Sequence, residues 1–240
     1  MIKATDFLTN HKTQDPQGSK VDVGLDDEIK RLVLPETLSE VASLEKHGGD
    51  PELVNFQAIL IDRLNRALKF CEFYLKNLST LENYSGGLGG VILEMNRQLE
   101  VIFSENPEIR RLLAEWGDFE QKAVNPNVSV EEREKALKET LKLLEKGGKD
   151  LYRAVVLADH LAQITEVLKD YTEKVGPLSP RIVPEYSLKE LIFKEIKRKC
   201  LLAKKTIYME EEPEELKKSE IDKVLEKINK DKPNSTTHDV

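Results

Sequence analysis

The chain has 240 residues, of which 39% are hydrophobic, 34% charged and 6% aromatic, with a formal net charge of −7. That balance is typical of helix-rich, salt-bridge-laced proteins; it is too polar for one fully compact core, so appendages are expected. The acidic total excludes a protein whose whole surface binds nucleic acid or anionic lipid, but leaves local patches open.

Two cysteines, Cys71 and Cys200, stand far apart without a second ligand nearby, a pattern that excludes a secreted disulfide scaffold and reads as reduced thiols. No apolar run approaches the roughly 18 residues a membrane span needs, and the N-terminus lacks a signal-peptide core. The expected class is a soluble, cytoplasmic protein.

Residues 1–24 open with a small apolar cluster, Ile2, Ala4, Phe7 and Leu8, and then lose it in NHKTQDPQGSK. Such a stretch buries too little to offset its ordering entropy, so a flexible N-terminal segment is expected, with MIKATDFL a frayed terminus or a tethered docking peptide. Residues 25–46 read as one or two short helices, LDDEIKRLVL and PETLSEVASLEK, broken before Pro35 because a residue preceding proline avoids the α region. His47-Gly48-Gly49 ends them.

The densest apolar segment runs from Asp50 to about residue 82 and is expected to be one long central helix. Asp50 is a good N-cap and Pro51 suits the first helical position. Leu53, Phe56, Leu60, Leu64, Ala67, Cys71, Tyr74, Leu78 and Leu81 recur at spacings of three and four, and Val54, Ile61, Leu68 and Leu75 widen the stripe. A helix so apolar must be covered on several sides, which predicts an all-α helical bundle built around it.

Four glycines in five residues, Gly86-Gly87-Leu88-Gly89-Gly90, follow. Neither the Lys-Ser/Thr ending of a phosphate loop nor a GxGxxG spacing after a strand is present, so the stretch is read as a reversal or hinge. A helix over 91–103 and another after Asn106-Pro107 come next, the latter placing Trp116 among Ile109, Leu112, Leu113 and Phe119 as core.

Ser129 and Glu132 form a capping box that opens a helix with a narrow stripe, Val130, Leu137, Leu141 and Leu144, and with four-apart pairs Glu131–Lys135 and Glu134–Lys138. Gly147-Gly148 is expected to turn it into a second amphipathic helix over about 150–175, making a helical hairpin. His160 has no Glu or His at ligand spacing and is read as structural.

Residues 176–186, GPLSPRIVPEY, have three prolines and mark the expected boundary between a bundle core over 25–175 and a C-terminal helical region over 187–231. A capping box at Ser187 and Glu190 opens a helix whose polar side carries Lys194, Lys197, Arg198, Lys204 and Lys205. Seven Lys/Arg against Glu190 and Glu195 leave a local charge of +5. These five cations are the candidate contact surface.

Glu210, Glu211, Glu212, Glu214, Glu215 and Glu220 against Lys217 and Lys218 then reverse the charge to −4; these acids either fold back over the basic helix or compete with its partner. A last narrow helix carries Ile221, Val224, Leu225 and Ile228, and residues 232–240 are expected to be a disordered tail.

No HExxH, CxxC, GxSxG, EF-hand or Walker pattern occurs, and the histidines, His11, His47, His160 and His238, do not cluster. No catalytic, cofactor-binding or metal residue is therefore assigned. The expected function is a non-enzymatic adaptor or assembly subunit that binds protein partners or itself through apolar helix faces, coiled-coil fashion, as a homo-oligomer. The alternatives are a nucleic-acid-associated assembly factor holding phosphates on 188–208, and an enzyme with a helical active site that matches no motif. A buried polar cluster beside a pocket would be the first sign of the enzyme.

Overall fold

The computed structural model describes residues 24–44, 51–78, 87–176, 185–208 and 210–230. Among these the chain is all-α, with helices α1 (Asp27–Leu32), α2 (Pro35–Leu44), α3 (Pro51–Lys76), α4 (Gly87–Glu105), α5 (Glu108–Val124), α6 (Val130–Lys174), α7 (Glu185–Ile207), α8 (Glu214–Lys217) and α9 (Glu220–Lys230). The N-terminal segment and docking peptide up to residue 23, the 45–50 turn with Asp50, residues 79–86, the Pro-rich 177–184 and the tail from 231 lie outside the described residues.

The chain divides into two compact units. One comprises the described parts of Met1–Arg66 and Leu88–Leu161, the other those of Ala67–Gly87 and Ala162–Val240. The division passes through α3 and α6, helices that each contribute to both units.

In the first unit α1 stops at Val33, which is extended at φ −83 and ψ 156, and Pro35 then occupies the first position of α2. The N-terminal part of α3 buries Val54, Ala58, Ile59, Ile61 and Leu64. Phe56 and Leu60, expected at the centre of the stripe, are only half-buried. The helix is covered around most of its circumference, so no single face holds all the buried residues.

The glycine stretch differs from expectation. Gly87 carries the only bend the described part of it needs, with φ 73, and Gly87–Gly90 then form the first turn of α4, which runs to Glu105. The helix therefore starts four residues before the expected 91. Leu88, Val91, Met95, Leu99 and Ile102 are buried along it. On α5, Ile109, Leu112 and Trp116 are core, as their spacing predicts.

The longest described helix is α6, with 45 residues. At its start the Glu132 backbone N–H donates to Ser129 Oγ at 3.2 Å, and the Ser129 hydroxyl donates to the Glu132 carboxylate at 3.0 Å. One non-helical residue, Gly148 at φ 53 and ψ −142, breaks α6 into two arms. Gly147 is needed for a different reason: a Cβ there would lie 2.5 Å from Leu151 Cβ and 3.1 Å from Leu112 Cδ1. The first arm buries Ala136, Thr140, Leu143 and Leu144, whereas Val130 is 61% exposed. Its covered face keeps the expected Leu144, while Leu137 and Leu141 are only half-buried and Val130 lies outside it.

In the second unit α3 ends at Lys76 instead of continuing to about 82. The Asn77 N–H still reaches the Phe73 carbonyl at 3.2 Å, while its side-chain amide donates to the same carbonyl at 2.7 Å and closes the helix end. Phe70, Tyr74 and Phe193 form an aromatic cluster. Tyr74 stacks on Phe193 with centroids 4.9 Å apart, and Phe70 meets both rings edge-on at 4.7 and 5.7 Å. Ile164 and Val167 from α6, and Leu191, Ile192, Ile196 and Cys200 from α7, are buried in the same unit. Helix α7 starts at Glu185, so Ser187 lies within it and is not its cap. Ile221 and Ile228 of α9 are buried within the chain, and Val224 and Leu225 are half-buried.

Candidate functional site

The five cations expected to form a contact surface all lie on α7. Lys194 pairs with Glu190 at 2.6 Å, and Lys197 with Glu72 at 3.2 Å. Lys205 pairs with Glu210, and Lys204 also has a partner within the chain. Lys199, on the same helix, pairs with Glu166 at 2.8 Å.

Arg198 is bound most firmly. It donates to Glu195 through two nitrogens at 3.0 and 2.6 Å, and to the Leu216 carbonyl at 2.7 Å. Glu195 is 1% exposed and also accepts the Glu220 backbone N–H at 2.8 Å. An anion at the start of α9 is where the helix dipole favours one. The acidic C-terminal stretch is thereby fastened to α7 by Lys205–Glu210, Arg198–Leu216 and Glu195–Glu220, with Ser219 Oγ accepting the Asp222 N–H at 3.0 Å at the helix start.

The first unit holds charge inside. Asp62 is fully buried. One of its oxygens accepts the Leu34 N–H at 2.6 Å and the Thr37 hydroxyl at 3.0 Å; the other accepts Arg66 Nε and the Tyr152 hydroxyl, each at 2.5 Å. Four donors fill the lone-pair sites of an ionised carboxylate. Arg66 is held further by the Leu32 carbonyl at 2.8 Å, and its guanidinium sits 5.5 Å from the centre of the Tyr152 ring. Burial and the Asp62 carboxylate both push the Tyr152 hydroxyl well above its ordinary 10, so it stays protonated and donating.

A second ionic group lies one residue along. Arg63 forks to Asp159, with one contact at 2.7 Å, and to Glu120, where a further nitrogen sits at 3.3 Å. Trp116 Nε1 donates to the same Glu120 at 3.2 Å. Burial alone would lower the Arg63 pKa, but the two carboxylates outweigh it and hold the group above its ordinary value. His160 is 2% exposed; burial first, then the positive Arg66 and Arg63, push its pKa down to about 3. It is a neutral core residue at any ordinary pH.

Beside Asp62 the same unit has a cavity of about 80 Å³ lined by Arg31, Leu32, Arg66, Lys149, Tyr152, Arg153, Val156 and Leu157. A buried polar cluster next to a pocket is the arrangement expected of an enzyme, so its chemistry matters. Asp62 is saturated and the Tyr152 hydroxyl is spent on it. The other lining side chains are the cations Arg31, Arg66, Lys149 and Arg153 and the aliphatic Leu32, Val156 and Leu157. What the arrangement can do is hold an anion.

Among the described residues no three His, Cys, Asp or Glu side chains converge to hold a metal ion, and no helix is long and apolar enough to cross a membrane. The buried charges were missed in the sequence, although Asp62, Arg63, Asn65 and Arg66 interrupt the most apolar helix of the chain. Polar residues in the interior turns of such a helix are the signal that could have found them. No protein-family model, curated protein or solved structure matches the chain.

Proposed function

We propose that the chain is a non-enzymatic α-helical adaptor or assembly subunit that acts through protein contacts, with a second copy of itself as the first partner. The observation that carries this reading is the outer face of α4. Leu93 is 71% and Val101 39% exposed, with Arg97 midway between them and tied to Glu94 at 2.8 Å. Positions four apart along a helix follow one ridge, so two large apolar side chains flank a fixed ion pair. Apolar anchors supply contact area and paired charges set register, a division suited to helix-on-helix association.

The neutralised state of α7 favours protein contact over phosphate binding. Nucleic-acid binding through Lys194, Lys197, Arg198 and Lys205 would require breaking pairs already made within the chain, and each released cation would have to recover that loss from phosphate.

Light scattering coupled to size exclusion tests the reading. A defined oligomer is expected at tens of micromolar, and Leu93→Glu with Val101→Glu should reduce it to monomer while the helical circular dichroism stays unchanged. A wild-type chain that is monomeric across that range overturns self-association.

A further inference from the structure

We propose that the cavity of the first unit is a binding site for a phosphoryl group carried by a small molecule, held by Arg31, Arg66, Lys149 and Arg153. All four line the cavity of about 80 Å³, and their placement follows from the break in α6. The second arm begins after Gly148, and Lys149, Tyr152, Arg153, Val156 and Leu157 then recur at spacings of three and four, which is one helical face. Arg31 comes from α1, next to Leu32, whose carbonyl holds Arg66.

These cations differ from those of α7. Arg31, Lys149 and Arg153 form no ion pair or hydrogen bond with a described residue, and the Nε of Arg153 is buried without an acceptor. A buried donor left without a partner is costly in a folded protein, and an incoming oxygen would relieve it. Arg66 is different: Asp62 neutralises it and fixes its plane, so it serves as a preset wall of the site. Glu28 Oε1 lies 3.7 Å from where a Cβ on Gly148, the residue before Lys149, would be; the cluster stays positive after counting it.

The occupant's chemistry follows from size and charge. Guanidinium forks match the oxygens of a phosphoryl group in pairs, and several converging cations favour a multiply charged anion over a carboxylate. Leu32, Val156 and Leu157 form an apolar wall that strengthens such charge contacts by excluding water. The volume takes a few water-sized groups, enough for one phosphoryl group and too little for a base or sugar, which would remain outside.

Titration calorimetry of the full chain with inorganic phosphate and with pyrophosphate, at fixed low ionic strength, tests the site. Saturable one-to-one binding is expected, weakened about tenfold by Arg31→Ala and again by Arg153→Ala, and unchanged by Lys194→Ala on α7. Circular dichroism reports folding. Arg31 is exposed, so Arg31→Ala keeps the test intact if Arg153→Ala misfolds. Absence of saturable binding of either probe by the wild-type chain overturns the proposal, as does binding that Arg31→Ala leaves intact or that Lys194→Ala weakens equally. Because α4 takes no part in lining the cavity, the oligomer measurement and this one can fail separately.

Discussion

The two units differ in what they bury beside their aliphatic side chains. In the first, the side chains at the centre include Asp62, Asn65, Thr37, Tyr152 and His160, beside the Arg63–Asp159–Glu120 group. In the second, the centre is Phe70, Tyr74, Phe193 and the thiols of Cys71 and Cys200, and its buried acid, Glu195, serves one arginine and the start of one helix. Desolvating charges consumes most of what their pairing returns, so an ionic interior contributes geometric definition more than net stability. An aromatic interior contributes stability with looser geometric demands. The first unit therefore has the fixed, directional walls a ligand site needs, and the second has a core that holds helices together.

The largest separation should come from Phe193→Ala. Phe193 is 1% exposed and contacts two rings, so its removal should cost about 3–5 kcal/mol by denaturant unfolding, with little dependence on pH. Arg63→Ala should cost less, about 2–3 kcal/mol, because Glu120 and Asp159 keep 26% and 23% of their side chains exposed and water screens the loss. Its cost should shrink as the pH falls, since burial already raises the Asp159 pKa and an orphaned carboxyl can take up a proton. A pH-independent Arg63→Ala, or a pH-dependent Phe193→Ala, would erase the contrast.

A smaller effect isolates the charged interior itself. His160 titrates near 6.5 when unfolded and at about 3 when folded. Between those values only the unfolded chain takes the proton, so the His160 contribution is complete above pH 6.5 and declines as the pH drops toward 3. At pH 5.5 the loss should be about 1.4 kcal/mol. His160→Gln should flatten that part of the stability profile, and an unchanged acid limb would show that other groups produce it.

The smallest effect concerns α4. A Cβ at Gly89 meets nothing within 4 Å, and the residue is helical, so Gly89→Ala should stabilise the chain by about 0.5–1 kcal/mol. At Gly148, where φ is 53, alanine should instead destabilise by about 1–2 kcal/mol. Thermal melts of the two variants moving in the same direction would contradict the helical start of α4.

Much of the helix content was legible in the chain itself. The avoidance of the α region by a residue before proline located α1 and α2 on either side of Pro35, and helical spacing placed Trp116 in the core. Those features depend on interactions within a few residues, and local spacing records them. The cavity was not legible. Arg31 and Arg66 are separated from Lys149 and Arg153 by more than eighty residues, and Arg31, Lys149 and Arg153 each read alone as an ordinary surface cation.

The sequence by itself determined that the chain is helical, where most helices begin, and that α7 is basic and the following stretch acidic, because propensity, capping and charge are properties of neighbouring residues. Tertiary structure alone decided which cations are neutralised and which converge. Lys197 finds Glu72 and Arg63 finds Asp159 and Glu120, while Arg31, Lys149 and Arg153 meet around a cavity with no described carboxylate bound to them. Charge pairing acts over a few ångströms in space, and the folded path of the backbone sets those distances.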